Sequence, residues 1–123
     1  MGYRSDVAYI IEFPSIKERD EYVALFRLGA DEYQRRALDE TNYEHSDRPI
    51  ITFREDGVKW YPSFEDVQAH VFLYEHAVEV NPRARYRFVA IGEDGQESYA
   101  EDGSDDIDLY EDLYAVHRLE TSW

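Results

Sequence analysis

The chain has 123 residues, 43% hydrophobic and 15% aromatic, enough for one domain with a core and too few for two. Its formal charge of −15 repels phosphate backbones and argues against direct nucleic-acid binding, and the absence of cysteine excludes disulfides, thiolate metal sites and cysteine nucleophiles. No apolar run approaches the roughly 18 residues that cross a bilayer, and the N-terminus lacks the pattern of a signal peptide, so a cytoplasmic protein without membrane contact is expected.

Val7 to Phe13 is β-branched and aromatic and is closed by Pro14, which predicts a central strand. Ser15-Ile16-Lys17-Glu18 has the form of a capping box, so a helix starts there; Ile16, Val23 and Phe26 mark its apolar face, and Gly29 is placed to end it in a left-handed conformation. A second, less amphipathic helix is expected from Asp31 to about Glu40, then a polar loop from Thr41 to Arg48. Pro49 to Arg54 and Val58 to Tyr61 read as two strands of a hairpin, with Glu55-Asp56-Gly57 as the tight reversal.

Ser63-Phe64-Glu65-Asp66 repeats the capping logic ahead of Phe64, Val67, Val71, Tyr74 and Val78, the best-spaced helical face in the chain, which Asn81-Pro82 ends. Arg85 to Ile91 is the next strand, and Glu93-Asp94-Gly95 turns it toward a short strand near Glu97 to Ala100. An aspartate-dense loop from Glu101 to Asp112 precedes a last element near Leu113 to Leu119, read as a strand with a helix from about Asp106 as the competitor. The order predicts one α+β domain over residues 1–123. The expected architecture is a ferredoxin-like (split βαβ) sheet, antiparallel or mixed, with two to three helices on one face and extra C-terminal strands.

The charge is uneven. Residues 1–87 carry 17 acids against 12 bases, whereas residues 88–123 carry 11 acids against the single base Arg118; Arg83, Arg85 and Arg87 form a small basic exception. The acidic stretch is interrupted by aromatics: Glu93, Asp94, Glu97, Tyr99, Glu101, Asp102, Asp105, Asp106, Asp108, Tyr110, Glu111 and Asp112. Carboxylates spaced along a sheet edge can mimic phosphates, and tyrosines beside them, together with Trp60, supply apolar anchors. The bland reading is a charged edge that keeps sheets from pairing.

Catalytic and metal signals are weaker. His70 and His76 stand six apart on one helix, roughly 120° from alignment, so they do not form a chelating pair. His70 is expected beside the apolar face or bonded to Asp66 one turn earlier. From Glu101 to Asp108 the spacing fails the calcium-loop pattern, with Asp106 where the turn glycine belongs. No nucleophile elbow or phosphate-cradling glycine loop is present, so no catalytic residue, metal or cofactor is assigned.

The opening Met1-Gly2-Tyr3-Arg4-Ser5-Asp6-Val7, the stretch Val58-Lys59-Trp60-Tyr61, and Tyr86-Arg87-Phe88-Val89-Ala90-Ile91-Gly92-Glu93-Asp94 resemble segments of small acidic proteins of bacteriophages and prophages, whose functions are mostly unassigned. The resemblance implies a phage setting and transfers no catalytic residue. In that setting the expectation is a non-enzymatic accessory protein in the host cytoplasm. It would block a basic surface of a host protein, such as a nucleic-acid-handling or CRISPR-type defence complex. Two alternatives belong to other classes: a small enzyme pairing a buried carboxylate with His70 or His117 as general base, and a homo-oligomeric assembly factor, as a homodimer would be.

Overall fold

The computed structural model describes residues 4–43, 48–92 and 97–102. It is α+β, with elements in the order β1 (Ser5–Glu12), α1 (Ile16–Gly29), α2 (Glu32–Glu40), β2 (Ile50–Val58), α3 (Glu65–Val80), β3 (Arg85–Gly92) and β4 (Glu97–Asp102). The strands form one antiparallel sheet in the order β2-β1-β3-β4. β2 and β3 both run against β1 and therefore parallel to each other, with α3 between them in sequence and β1 between them in space. β1 and β2 are hydrogen-bonded neighbours, and two helices join them.

The continuous apolar run of β1 is explained by burial on both faces. Val7, Tyr9, Ile11 and Phe13 join Tyr22 and Phe26 of α1, Leu38 of α2, and Leu73, Tyr74 and Ala77 of α3 in the main core. Ala8 and Ile10, pointing the other way, cluster with Ile50 and Val89. The period of two along β1 thus feeds two cores from one strand.

Helix starts follow the expected chemistry in part. Ser15 caps α1, its hydroxyl accepting from the Glu18 N–H at 3.1 Å, while Glu18 reaches back to that hydroxyl at 3.0 Å. Asp31 and Gln34 form a complete capping box on α2. α3 departs from expectation: Phe64 is its N-cap, without a side-chain cap, and the Asp66 carboxylate accepts from its neighbour Val67 instead. The buried face of α3 is also rotated from the expected one, running through Val67, His70, Leu73, Tyr74 and Ala77, with Phe64 exposed. Gly29 is the last residue of α1 and is not left-handed; the chain leaves through extended Ala30, so the glycine supplies no turn.

In place of the hairpin expected at residues 49–61 there is a single strand, Ile50–Val58, and residues 59–61 lie outside it. Glu55, Asp56 and Gly57 do not reverse the chain because β1 continues to pair beyond them: Val7 faces Glu55 and Ser5 faces Val58. Two steps along β1 match three along β2, so the extra residue forms a bulge, with Gly57 at φ 64° in the left-handed region that favours glycine. The Asp6 carboxylate accepts from the Gly57 N–H at 2.8 Å, and Arg4 donates to the Gly57 carbonyl at 2.7 Å. β1 therefore holds the bulge from both sides. No helix among the described residues is long and apolar enough to cross a membrane.

Candidate functional site

The bulge in β2 borders an open hollow of about 410 Å³ between the end of α2, the start of α3 and residues 55–60. Its lining gathers four carboxylates, Glu40, Glu55, Asp56 and Asp66, with two basic residues, Arg4 and Lys59, and two aromatic walls, Trp60 and Phe64. His70 forms part of its inner surface.

His70 is 2% exposed and hydrogen-bonded through both ring nitrogens. Its Nδ1 lies 2.7 Å from the Tyr9 hydroxyl and its Nε2 lies 2.9 Å from Oε1 of Glu40. A carboxylate only accepts, so Nε2–H donates to Glu40; the neutral ring then accepts at Nδ1, and the Tyr9 hydroxyl donates to it. Burial lowers the His70 pKa from its ordinary value, against the lifting effect of Glu40 and Asp66. Burial likewise holds the Tyr9 phenol well above 10.0, with Tyr74 and Glu40 adding to the shift. The chain Tyr9, His70, Glu40 is thus a satisfied hydrogen-bonded ladder from the sheet centre to the rim of the hollow.

This geometry changes the chemistry expected of His70. Its partner is Glu40 from another helix and not Asp66 one turn away. A general base needs a free nitrogen facing a substrate, and here both are occupied. The ring instead orients Glu40, while Phe53 at 4.2 Å and Trp60 at 5.7 Å pack against it.

Glu40 is the last residue of α2, whose final turn carries no basic residue. A carboxylate there adds to the negative end of the helix dipole, so the arrangement concentrates potential at the hollow. Glu55 registers that field. Its carboxyl is pushed up, first by partial burial and then by Glu40, Asp66 and Asp56; Asp56 is raised by burial and by Asp6. A raised carboxyl favours its neutral form in the fold, so its contribution to stability is full below the ordinary value of 4.5 and lost as pH rises through the folded pKa. Glu55→Gln should therefore raise Tm by roughly one to two degrees at neutral pH. The gain should vanish near pH 4 in a pH series of thermal melts, and a gain that persisted there would show that like-charge crowding is not its cause.

Beside His70, the base considered in the sequence, Trp60 is the interaction residue among those described that lines this hollow. Its ring is tied to the core, 6.1 Å from Phe53 and 5.7 Å from Phe88, so it is a wall more than a protruding anchor. Glu97, Tyr99, Glu101 and Asp102 lie on β4, the edge strand, where Tyr99 pairs in register with Val89 and Glu101 with Arg87. Glu93, Asp94, Asp105, Asp106, Asp108, Tyr110, Glu111 and Asp112 lie outside the described residues, as do His45 and His117. His76 bonds Glu79 on its own helix. Among the described residues no group of three or more histidines and carboxylates is placed to hold a metal ion.

Two functional-group placements were illegible in the sequence. Arg19, 4% exposed inside α1, donates to the Arg48 carbonyl at 2.9 Å and to Asp20 at 3.0 Å; its position three before Tyr22 was the available signal of burial. Arg85, part of the apparent basic exception, forms an ion pair with Glu12 across the β1–β3 register. No protein-family model, curated protein or solved structure matches the chain.

Proposed function

We propose that the protein is a non-enzymatic acidic binding factor that occupies a basic surface of a host protein, with the hollow beside Trp60 as one of its contact points. The observation that supports this most directly is the crowding of Glu40, Glu55, Asp56 and Asp66 around one aromatic-walled space, with Glu55 pushed up by partial burial and further by its neighbours' charge. Bringing a lysine or arginine side chain into that space relieves the repulsion, and Trp60 and Phe64 offer ring faces to the cation. The edge strand with Glu97, Tyr99, Glu101 and Asp102 extends the same chemistry, and the net charge of −15 steers basic partners over a longer range.

The phage resemblance gives this reading its setting: a small factor in the host cytoplasm that sterically and electrostatically blocks a nucleic-acid-handling or CRISPR-type complex, without itself contacting nucleic acid or membrane. In the same reading the sheet is a ferredoxin-like variant whose split crossover is β2-α3-β3. The test is capture from host lysate at about 50 and about 500 mM salt, with the wild type and with a Glu40→Gln/Glu55→Gln/Asp66→Asn variant that melts cooperatively. A basic protein held at low salt, released at high salt and lost by the variant is the expected result. Equal retention by both proteins would remove the hollow from the interface.

A further inference from the structure

Helix α3 turns a second surface to solvent, which shares Val67 with the lining of the hollow but none of the hollow's carboxylates. Gln68 and Phe72 stand one turn apart and form a ridge with a depression on each side. Toward α2 the depression holds about 610 Å³ and is lined by Asp31, Glu32, Tyr33, Glu65 and Ala69 as well as the ridge. On the other side one of about 300 Å³ is lined by Pro62, Val67, Val71 and Glu75. Phe72 is 40% exposed and Tyr33 41%, yet both are held in place. The Phe72 ring stacks on His76 at 4.7 Å and meets Phe26 at 5.9 Å, and the Arg36 guanidinium lies 5.7 Å over the Tyr33 ring. These are large apolar groups fixed by neighbours and left uncovered by the described residues.

We propose that this ridge and its two depressions receive a basic amphipathic helix of a partner protein. A ridge of residues four apart between two grooves is what a second helix needs in order to interlock, its own ridges entering the depressions. The rims select its charge. Asp31, Glu32, Glu65 and Glu75 line the two depressions, and among the described residues no lysine, arginine or histidine does. Arg36 engages Glu32 and Asp31 caps α2, so Glu65 and Glu75 are the carboxylates that incoming lysines or arginines meet. A second copy of this chain would bring −15 against −15, which disfavours it as the occupant. The groove involves residues apart from the hollow's charged set, and either assignment can fail alone.

The probe is a fluorescent Leu/Lys peptide of about 14 residues, four turns of amphipathic helix, titrated into the full chain with amide shift mapping; a Leu/Glu peptide of the same pattern is the control. The Leu/Lys peptide is expected to bind, with shifts centred on Tyr33, Gln68 and Phe72, and the Leu/Glu peptide not to. Phe72→Ala and the double change Glu65→Lys/Glu75→Lys should each weaken binding at least about tenfold, whereas Glu55→Gln/Asp66→Asn in the hollow should change it less than about twofold. The two groove variants remove different chemistry, and circular dichroism reports which remain folded. Unchanged affinity in a folded groove variant, or shifts mapping elsewhere, overturns the proposal. So does a concentration-dependent dimer in sedimentation that Phe72→Ala abolishes, since it assigns the face to a second copy.

Discussion

Replacing His70 by alanine is expected to lower the unfolding free energy by about 3–4 kcal/mol, a large share of the roughly 5–15 kcal/mol that holds a domain of this size together. Three losses combine. The ring is 2% exposed and sits among Tyr9, Phe53 and Trp60, so its removal leaves a cavity. The Tyr9 hydroxyl, in a residue 1% exposed, loses its acceptor. Glu40, with its side chain 44% exposed, loses a donor that water replaces, so this third loss is the smallest. Urea denaturation near pH 7.5 measures the sum. A loss below about 1 kcal/mol would mean that the Tyr9–His70–Glu40 ladder contributes little to the fold.

The pH dependence separates packing from charge. Burial keeps the His70 pKa below 6.5 in the folded chain, so the stability this group contributes is complete above about 6.5 and is lost as pH falls through the lower folded value. The advantage of the wild type over His70→Ala should therefore narrow on acidification. Glu40, Asp66 and Tyr9 are the groups that face or influence the ring, and Glu40 and Asp66 act in the opposite sense. An advantage that widened below pH 6 would show that the fold holds the charged ring.

Much of the scaffold was legible in the sequence because it follows local rules. The apolar run from Val7 to Phe13 marked a central strand and Ser15 announced a helix through its hydroxyl cap, while the second helix was expected from Asp31 without its carboxylate cap being foreseen. The segment at Glu55-Asp56-Gly57 misled for a physical reason: a left-handed glycine serves a bulge as well as a hairpin turn, and only the partner strand decides between them. β1 supplies that partner about fifty residues away, through Asp6 and Ser5, where no local pattern reaches. The hollow is non-local in the same way. Glu40 ends α2, Asp66 begins α3 and Glu55 lies at the bulge, and the fold alone brings them together. His70 stood out in the sequence, but its partners lie 61 residues before it at Tyr9 and 30 before it at Glu40. The acidic array from Glu93 to Asp112 drew attention by density, which is a property of composition, whereas the hollow draws its potential from convergence.

Two neighbouring residues of α3 should lose very different amounts of stability on the same truncation. Leu73 is fully buried between the sheet and α1, and its carbonyl accepts from the buried Tyr22 hydroxyl at 2.6 Å. Leu73→Ala empties a site that close packing does not let collapse, and a loss of about 3–4 kcal/mol is expected. Phe72 is the larger residue, yet it is 40% exposed and its ring meets Phe26 and His76 at the surface, so Phe72→Ala should cost about 1 kcal/mol. Urea midpoints of the two variants measured side by side decide the matter. The contrast matters because a side chain that costs little to remove from the folded chain, and stays ordered while exposed, is free to contribute its area to a partner. If Phe72→Ala unfolded the chain as readily as Leu73→Ala, the ring would belong to the core and the ridge on α3 would have no surface to offer.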